Sequence, residues 1–201
     1  MKKIIGIWCL LMLVLMLSAC GTPKSDSSNE QDERADEVSS LEGTQSEKAE
    51  GSAEVHVEMI NTDGENIGTA TLKQEADGVN VAVDVSGLYK GTHGFHIHEK
   101  GMCEPPTFES AGEHFNPTDM KHGFDNPEGP HAGDLPNLEV GKNGKVQESF
   151  VNEMVTLKKD EPNSLLREGG TSLVIHADPD DNVSQPSGES GARIVCGVIG
   201  E

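Results

Sequence analysis

The chain has 201 residues, with 35 Asp and Glu against 15 Lys and Arg, and its formal net charge is −20 at pH 7. Such an acidic surface argues against nucleic acid as a partner and against electrostatic docking on anionic lipid. Aromatic residues make up 3% of the chain, so a folded core has to be built mainly from Val, Ile and Leu.

The N-terminal segment, residues 1–19, is predicted to be a secretory signal peptide. Two lysines precede an apolar run over residues 4–17, and small residues lead up to Cys20, which is the order of regions in an exported protein. The ending LSAC resembles the lipobox of bacterial lipoproteins, and this implies cleavage before Cys20 and attachment of lipid to its sulfur. The alternative is an ordinary signal peptide in which Cys20 is incidental. On the lipobox interpretation the protein is extracytoplasmic and anchored to the cell membrane by the lipid on Cys20.

Residues 20–53 are predicted to form a lipidated N-terminus followed by a disordered acidic linker. They contain almost no large apolar side chains and are rich in Ser, Glu, Asp and Gly, so they cannot bury enough surface to fold. The folded domain is therefore expected over residues 54–201, which is an ordinary length for one domain.

Short runs of alternating apolar residues recur along this domain. The first three, EVHVEMI, NIGTATLKQ and VNVAVDVSG, are separated by breaks that carry Gly with Asn or Asp, as consecutive hairpins are. Further strands are predicted at GFHIHEKG, KVQESFVNEMVTL, SLVIHAD and ARIVCGVIG. No stretch has convincing helical periodicity, so the pattern predicts an antiparallel all-β domain, either a sandwich or a flattened barrel.

The fourth predicted strand, GFHIHEKG, carries His96 and His98 with one apolar residue between them. Alternate side chains of a strand point to the same face, so the two imidazoles are expected side by side. A metal ion is the obvious partner for two neutral ring nitrogens, whereas a single buried histidine is usually a hydrogen-bonded core residue. His93 is expected to face away from this pair, and His56 is interpreted as an ordinary strand residue.

A long irregular segment over residues 99–138 follows this strand. A connection of that length is unusual in a compact domain and is often functional. It contains three histidines and one carboxylate of interest: His114, His122, His131 and Asp134. Coordination of a metal would supply the order that hydrophobic burial does not supply here. A second, shorter irregular segment follows His176.

Two of the four cysteines, Cys103 and Cys196, lie in the domain. An even pair in an exported domain favours a disulfide, because the compartment is oxidising. Two free buried thiols are the less favoured alternative. Closing a loop of about 93 residues would stabilise the fold by roughly 4–5 kcal/mol in the chain-entropy model.

Six motifs occur in order along the domain: GFHIHE, SAGEHFNP, KHG, PHAGDL, VIHADPDD and GARIVCGVIG. Together they resemble the copper/zinc superoxide dismutases of exported bacterial type, over about residues 54–200. The resemblance implies a Greek-key β-barrel or sandwich of immunoglobulin-like topology, with about eight antiparallel strands and two long functional loops.

The resemblance also implies one copper ion and one zinc ion per subunit. The implied copper ligands are His96, His98, His114 and His176. The implied zinc ligands are His114, His122, His131 and Asp134. His114 would then bridge the two metals. The donor types agree with these assignments, since four imidazoles suit copper, and three nitrogens with one carboxylate suit a closed structural zinc site.

Further residues acquire roles by the same resemblance. Asp180 is expected to accept hydrogen bonds from His96 and His122 and so fix their tautomers. Arg193 is expected at the mouth of the copper channel, where its guanidinium would attract and orient superoxide. His114 would take up and release a proton during turnover.

The activity implied is dismutation of superoxide to dioxygen and hydrogen peroxide, which would protect the cell surface from extracellular superoxide. The alternative is a non-enzymatic extracytoplasmic module that binds copper or zinc with the same ligands and does not need Arg193. Superoxide and the membrane lipid are the predicted partners, nucleic acid is excluded, and both a monomer and a homodimer remain open.

Overall fold

The computed structural model describes residues 53–200. The predicted signal peptide at 1–19, the lipidation site Cys20 and all but the last residue of the linker at 20–53 lie outside the described residues. Within the described part, no helix is long and apolar enough to span a bilayer.

Eight antiparallel strands form one sheet. They are β1 (Glu54–Asn61), β2 (Asn66–Glu75), β3 (Gly78–Ser86), β4 (Gly91–His98), β5 (Asp134–Val140), β6 (Lys145–Asn152), β7 (Thr171–His176) and β8 (Arg193–Ile199). The spatial order is β5-β4-β7-β8-β1-β2-β3-β6, and the end strands β5 and β6 approach each other, which nearly closes the sheet into a barrel. The predicted all-β Greek-key barrel is confirmed.

The structure corrects the predicted irregular segment at 99–138, because its last part is strand β5 (Asp134–Val140). Pro136 and Asn137 in this strand are turn-type residues, which hid the alternation. They lie at a bulge in the pairing with β4, where His93 pairs Leu138 and Phe95 pairs Leu135. A bulge tolerates proline since one strand there has an unpaired extra residue.

A second correction concerns the predicted strand KVQESFVNEMVTL at 145–157. The strand β6 ends at Asn152, and residues 153–170 form a further long connection before β7. The fold therefore has three long connections among the described residues, and the two predicted functional loops are the ones that carry residues of the metal sites. The connection over 99–133 contains one turn of 3-10 helix at Glu109–Ala111; we call it the first loop, and the connection over 177–192 the second loop.

The barrel interior is apolar. Alternate apolar side chains of β4 and β7 point into it, so the positions between them, which carry the histidines, point outward. Phe95, Ile97, Leu173 and Ile175 are fully buried inside the main core. Because strand side chains alternate, His96 and His98 lie on the outer face, yet each is at most 1% exposed. The two loops therefore cover this outer face and create a buried polar layer outside the barrel.

A small second core lies outside the barrel beneath the first loop. Phe108, Ala111 and Val174 pack there against Cys196, with Cys103 at its margin. The predicted disulfide between Cys103 and Cys196 is confirmed, with their Cα atoms 5.6 Å apart. The disulfide thus ties the first loop to β8.

Candidate metal centre

Four histidine rings converge on the outer face of β4 and β7. We call His96, His98, His114 and His176 the four-histidine cluster. The ring centroids of His96 lie 4.0 Å from His114 and 4.8 Å from His176. A single antiparallel β-bridge between the backbones of His98 and His114 holds the first loop against the end of β4. One nitrogen from each of the four rings lies within 4.8 Å of the others, which is close enough for one ion.

Asp134 is the centre of a second group, which we call the mixed cluster (His114, His122, His131 and Asp134). Its Oδ1 lies 3.0 Å from Nδ1 of His114, 3.1 Å from Nδ1 of His122 and 3.4 Å from Nδ1 of His131. Four tetrahedral ligands about 2.0–2.1 Å from zinc are separated by roughly 3.3 Å, so the spacing fits zinc. The other oxygen, Oδ2, accepts the backbone N–H groups of Gly123 and His131 at 2.9 Å.

Asp180 in the second loop connects the two clusters. Its Oδ2 lies 2.7 Å from Nε2 of His96, and its Oδ1 lies 3.0 Å from Nε2 of His122. A carboxylate accepts hydrogen bonds, so both rings carry a proton on Nε2, which leaves Nδ1 as the nitrogen that each ring directs to the clusters. Both oxygens are engaged in this way, so this group is a hydrogen-bonded link and not a third metal site.

The remaining rings of the four-histidine cluster are oriented by backbone carbonyls. His98 donates its Nδ1–H to the carbonyl of Gly112 at 2.9 Å, and His176 donates its Nδ1–H to that of Gly191 at 3.3 Å. The buried ring nitrogens without a hydrogen-bond partner in this cluster are Nδ1 of His96 and Nε2 of His98, His114 and His176. Buried polar atoms are nearly always paired, so four convergent lone pairs fit a metal ion.

The four-histidine cluster holds its rings neutral. Burial lowers the pKa of His176 to about 2, with His96 and His114 adding to the effect. Burial and the neighbouring His96 likewise lower the pKa of His114 to about 4, and burial holds the pKa of His98 well below its usual value. Neutral imidazole is the form that binds metal.

The mixed cluster has the opposite electrostatics. Burial lowers the pKa of His122, but hydrogen bonds to Asp134 and Asp180 outweigh it and raise the pKa to about 9. Burial raises the pKa of Asp134, yet hydrogen bonds from His114, His122 and His131 hold that pKa far below its usual range. A carboxylate that stays ionised at any ordinary pH suits a divalent cation.

These shifts predict that the metal-free protein loses stability between pH 7 and pH 5. His114 and His176 have folded pKa values below the unfolded value of 6.5, so the unfolded chain binds their protons first as the pH falls. Protonation of each of these two histidines in the unfolded chain lowers the free energy of unfolding by about 2 kcal/mol by pH 5. The raised pKa of His122 acts the other way, but it stabilises the fold by less than 1 kcal/mol over the same interval.

Urea unfolding of chelator-treated protein at pH 7, 6 and 5 measures this effect. The copper- and zinc-loaded protein is the control and is expected to keep its midpoint, because bound metals hold the ligands unprotonated. A metal-free midpoint that stays level or rises at pH 5 contradicts the prediction.

Arg193 lies beside the four-histidine cluster at the start of β8, where it pairs with His176. Its Nη1–H donates to the carbonyl of Phe108 at 2.8 Å and its Nη2–H to that of Gly112 at 2.7 Å. The positive charge of Arg193 also contributes to the low pKa of His98. The carbonyl of Gly112 is thus shared by Arg193 and His98, which joins the guanidinium to a ring of the cluster.

The two histidines interpreted as structural lie outside both clusters. The ring nitrogens of His93 lie 2.7 Å from the carbonyl oxygen of His176 and 2.9 Å from that of Tyr89. His56 is on the exposed face of β1, 3.2 Å from Glu54.

Sequence reasoning missed Asn137. Its side-chain amide donates to the carbonyl of Asp180 at 2.8 Å and accepts the N–H of Asp180 at 2.9 Å. The bulge in β5 aims this side chain at the second loop, and no local pattern signals a bond over 43 residues.

The comparisons with known proteins agree with this geometry. The family model described as copper/zinc superoxide dismutase (SODC) matches residues 66–199, which is more than half of the chain. The chain belongs to the copper/zinc superoxide dismutase family. The enzymes of this family use copper and zinc, and the donors of the two clusters suit that pair of metals.

Two further similarities extend over the whole domain. The chain is 54% identical over 145 residues to superoxide dismutase [Cu-Zn] 2 of Aquifex aeolicus, covering 72% of this chain and 85% of that protein. The Cu/Zn superoxide dismutase from Brucella abortus has a TM-score of 0.61 at 30% identity, covering 73% of this chain and 99% of that chain.

A third similarity is to a solved double mutant of a SOD-like protein from Bacillus subtilis, in which histidine replaces two residues. It has a TM-score of 0.71 at 47% identity, covering 73% of this chain and 97% of that chain. The dismutase described here has histidine at each expected ligand position of the four-histidine cluster.

Proposed function

We propose that the enzyme dismutates superoxide at a copper ion held by the four-histidine cluster, next to a zinc ion held by the mixed cluster. Two superoxide ions and two protons give one dioxygen and one hydrogen peroxide. The observation that supports this proposal best is the set of four buried, unpartnered ring nitrogens that converge beside the Arg193 guanidinium.

Donor chemistry distributes the two metals between the clusters. Imidazole nitrogens accept copper in both of its common oxidation states, whereas three nitrogens and one carboxylate make the closed tetrahedral set of structural zinc. A copper ion held by the four-histidine cluster would supply the one-electron redox chemistry that dismutation requires.

His114 is the residue that joins proton transfer to this chemistry. Its Nδ1 faces Asp134 in the mixed cluster, while its Nε2 is buried and unpartnered in the four-histidine cluster. Because Nδ1 is directed to the mixed cluster, Nε2 is the nitrogen that would take up a proton on leaving the copper ion during turnover and pass it to the reduced product. Solvent supplies the second proton.

Arg193 binds and orients the substrate anion. A guanidinium has about five N–H donors, and two of them are engaged by the carbonyls of Phe108 and Gly112. These two bonds hold the group in place and leave the other donors for superoxide. The charge and the planar shape together favour a small diatomic anion.

Arg193→Ala is expected to lower kcat/KM for superoxide about tenfold or more, because local positive charge raises the association rate of an anion by about that factor. Stopped-flow decay of superoxide, with the copper and zinc contents matched to wild type, measures the effect. Arg193→Lys is the matched control, which keeps the charge and is expected to retain part of the rate.

The outcome of the same assay separates the enzyme from a metal-binding module. If the wild-type protein, fully loaded with copper and zinc, does not accelerate superoxide decay, the enzyme hypothesis is wrong and the metal-binding module is the function that remains. Equal rates for wild type and Arg193→Ala would remove Arg193 from the mechanism.

We also propose that the enzyme is exported and anchored to the cell membrane by lipid on Cys20, where it protects the cell surface. The LSAC sequence before an acidic, polar segment supports this location. Labelling of cells with a fatty-acid analogue is expected to mark the wild-type protein and not Cys20→Ser. Equal labelling of both proteins would exclude this anchor.

A further inference from the structure

The main chain of His122 is buried but lies outside the sheet. His122 is 0% exposed and belongs to the first loop, where no strand pairs its backbone N–H and C=O. A buried main-chain group left without a partner costs about 1–3 kcal/mol. Something other than secondary structure therefore has to hold this ligand's backbone.

The side-chain amide of Gln185 provides both partners. Its Oε1 accepts the N–H of His122 at 3.0 Å, and its Nε2 donates to the carbonyl of His122 at 2.9 Å. The same Nε2 donates to the carbonyl of Val183 at 2.9 Å. One amide thus pairs with the backbone of His122 as a neighbouring strand would, although Gln185 itself is an exposed residue of the second loop.

The second loop also holds the ring of His122 and the chain beside it. Oδ1 of Asp180 is 3.0 Å from Nε2 of the ring, and Asp125 donates its N–H to the carbonyl of Asn182 at 3.2 Å. Gly123 has a φ of +99°, and a Cβ there would collide with the carbonyl oxygen of Asn182. The absence of a side chain at Gly123 therefore lets the first loop pack closely against the second beside His122.

We propose that Gln185 is a positioning residue for the zinc site: it fixes the backbone of His122 and so aims Nδ1 of that ring into the mixed cluster. With the ring end held by Asp180 and the backbone held by Gln185, the ring is fixed at both ends from the second loop. The inference rests on the assignment of zinc to the mixed cluster.

The test compares Gln185→Ala and Gln185→Glu with wild type. The Ala variant removes both bonds, and the Glu variant places a carboxylate, which has no N–H, against the carbonyls of His122 and Val183. Gln147→Ala is the matched control, since Gln147 is an exposed glutamine that bonds to Asp84 on the β3–β6 pair. Far-UV circular dichroism of the metal-free variants establishes that each one is folded.

Zinc affinity is measured by chelator competition on copper-free protein, and the geometry of the site by the visible spectrum of the Co²⁺-substituted form. Zinc affinity is expected to fall about 10-fold in Gln185→Ala and toward 100-fold in Gln185→Glu, the usual range for residues that orient metal ligands. The Co²⁺ bands are expected to shift in both variants and to match wild type in Gln147→Ala. A purely structural role would lower stability and leave these bands unchanged.

Zinc affinities within twofold of wild type and unchanged Co²⁺ bands in both Gln185 variants would overturn the inference. Superoxide decay by the loaded wild type is measured alongside. An inactive wild type whose Gln185 variants still lose zinc would overturn the proposed dismutase activity and leave the role of Gln185 standing.

Discussion

Replacing His98 by Ala is expected to lower kcat for superoxide dismutation sharply while zinc stays bound. His98 contributes only to the four-histidine cluster, where its Nε2 is one of four unpartnered buried nitrogens. Three imidazoles remain, and the void left by a ring that is 1% exposed admits water in place of the fourth donor. Even residues that only orient metal ligands are worth about 10–100-fold, so removal of a direct ligand is expected to cost at least about 100-fold in kcat.

The measurement combines stopped-flow decay of superoxide with the zinc content and the Cu²⁺ electron paramagnetic resonance spectrum of the purified variant. His56→Ala is the matched control, because His56 is an exposed histidine on β1, outside both clusters. The prediction fails if His98→Ala keeps the activity and copper spectrum of wild type.

Zinc is expected to raise the unfolding temperature of the metal-free protein by about 8–16 °C, and Asp134→Ala is expected to remove this gain. A ligand at about 1,000 times its dissociation constant stabilises the fold by about 4 kcal/mol, and a domain of this size gains about 2–4 °C per kcal/mol. Asp134 is 3% exposed, and its Oδ1 faces all three rings of the mixed cluster. Without this carboxylate the cluster has no anionic ligand for the zinc charge.

Calorimetric scans of chelator-treated protein, without zinc and with free zinc buffered at about 1,000 times its dissociation constant, give the shift directly. Asp84→Ala is the control, since Asp84 is an exposed carboxylate on β3 that accepts a hydrogen bond from Gln147. A zinc-induced shift of equal size in Asp134→Ala and wild type would show that zinc stabilises the domain elsewhere.

Much of the fold was predictable because alternation and turn residues are local signals. Seven of the eight strands were found in this way. The eighth, β5, was missed since Pro136 and Asn137 occupy a bulge, and a bulge is defined by the pairing with β4 and not by the strand's own residues. The end of β6 was misplaced for a related reason: the apolar residues Val155 and Leu157 are buried in the core from a connection and not from a strand.

The residue types that bind metal could likewise be predicted from the sequence, whereas the orientation and protonation of each histidine ring could not. The two ligand sets were predicted from the resemblance of six ordered motifs to the copper/zinc superoxide dismutases, and Cys103 and Cys196 were correctly paired from their even number and the predicted oxidising compartment. Which nitrogen of each ring carries the proton depends on hydrogen-bond acceptors elsewhere, such as the carbonyls of Gly112 and Gly191. Those acceptors are backbone atoms, so no residue type marks them.

The amino-acid sequence alone therefore specified an all-β domain with histidine and carboxylate side chains that suit metal ions, because donor chemistry and strand period belong to individual residues. Only the folded chain brings His96 and His176 together across the β4–β7 pair. Only there do Asp180 and Gln185 join the second loop to the first, and Asn137 join the second loop to β5. The convergence of the histidine rings, their tautomers and the hydrogen bonds that support them all depend on contacts between residues that are tens of positions apart. Such contacts exist only after the barrel has formed.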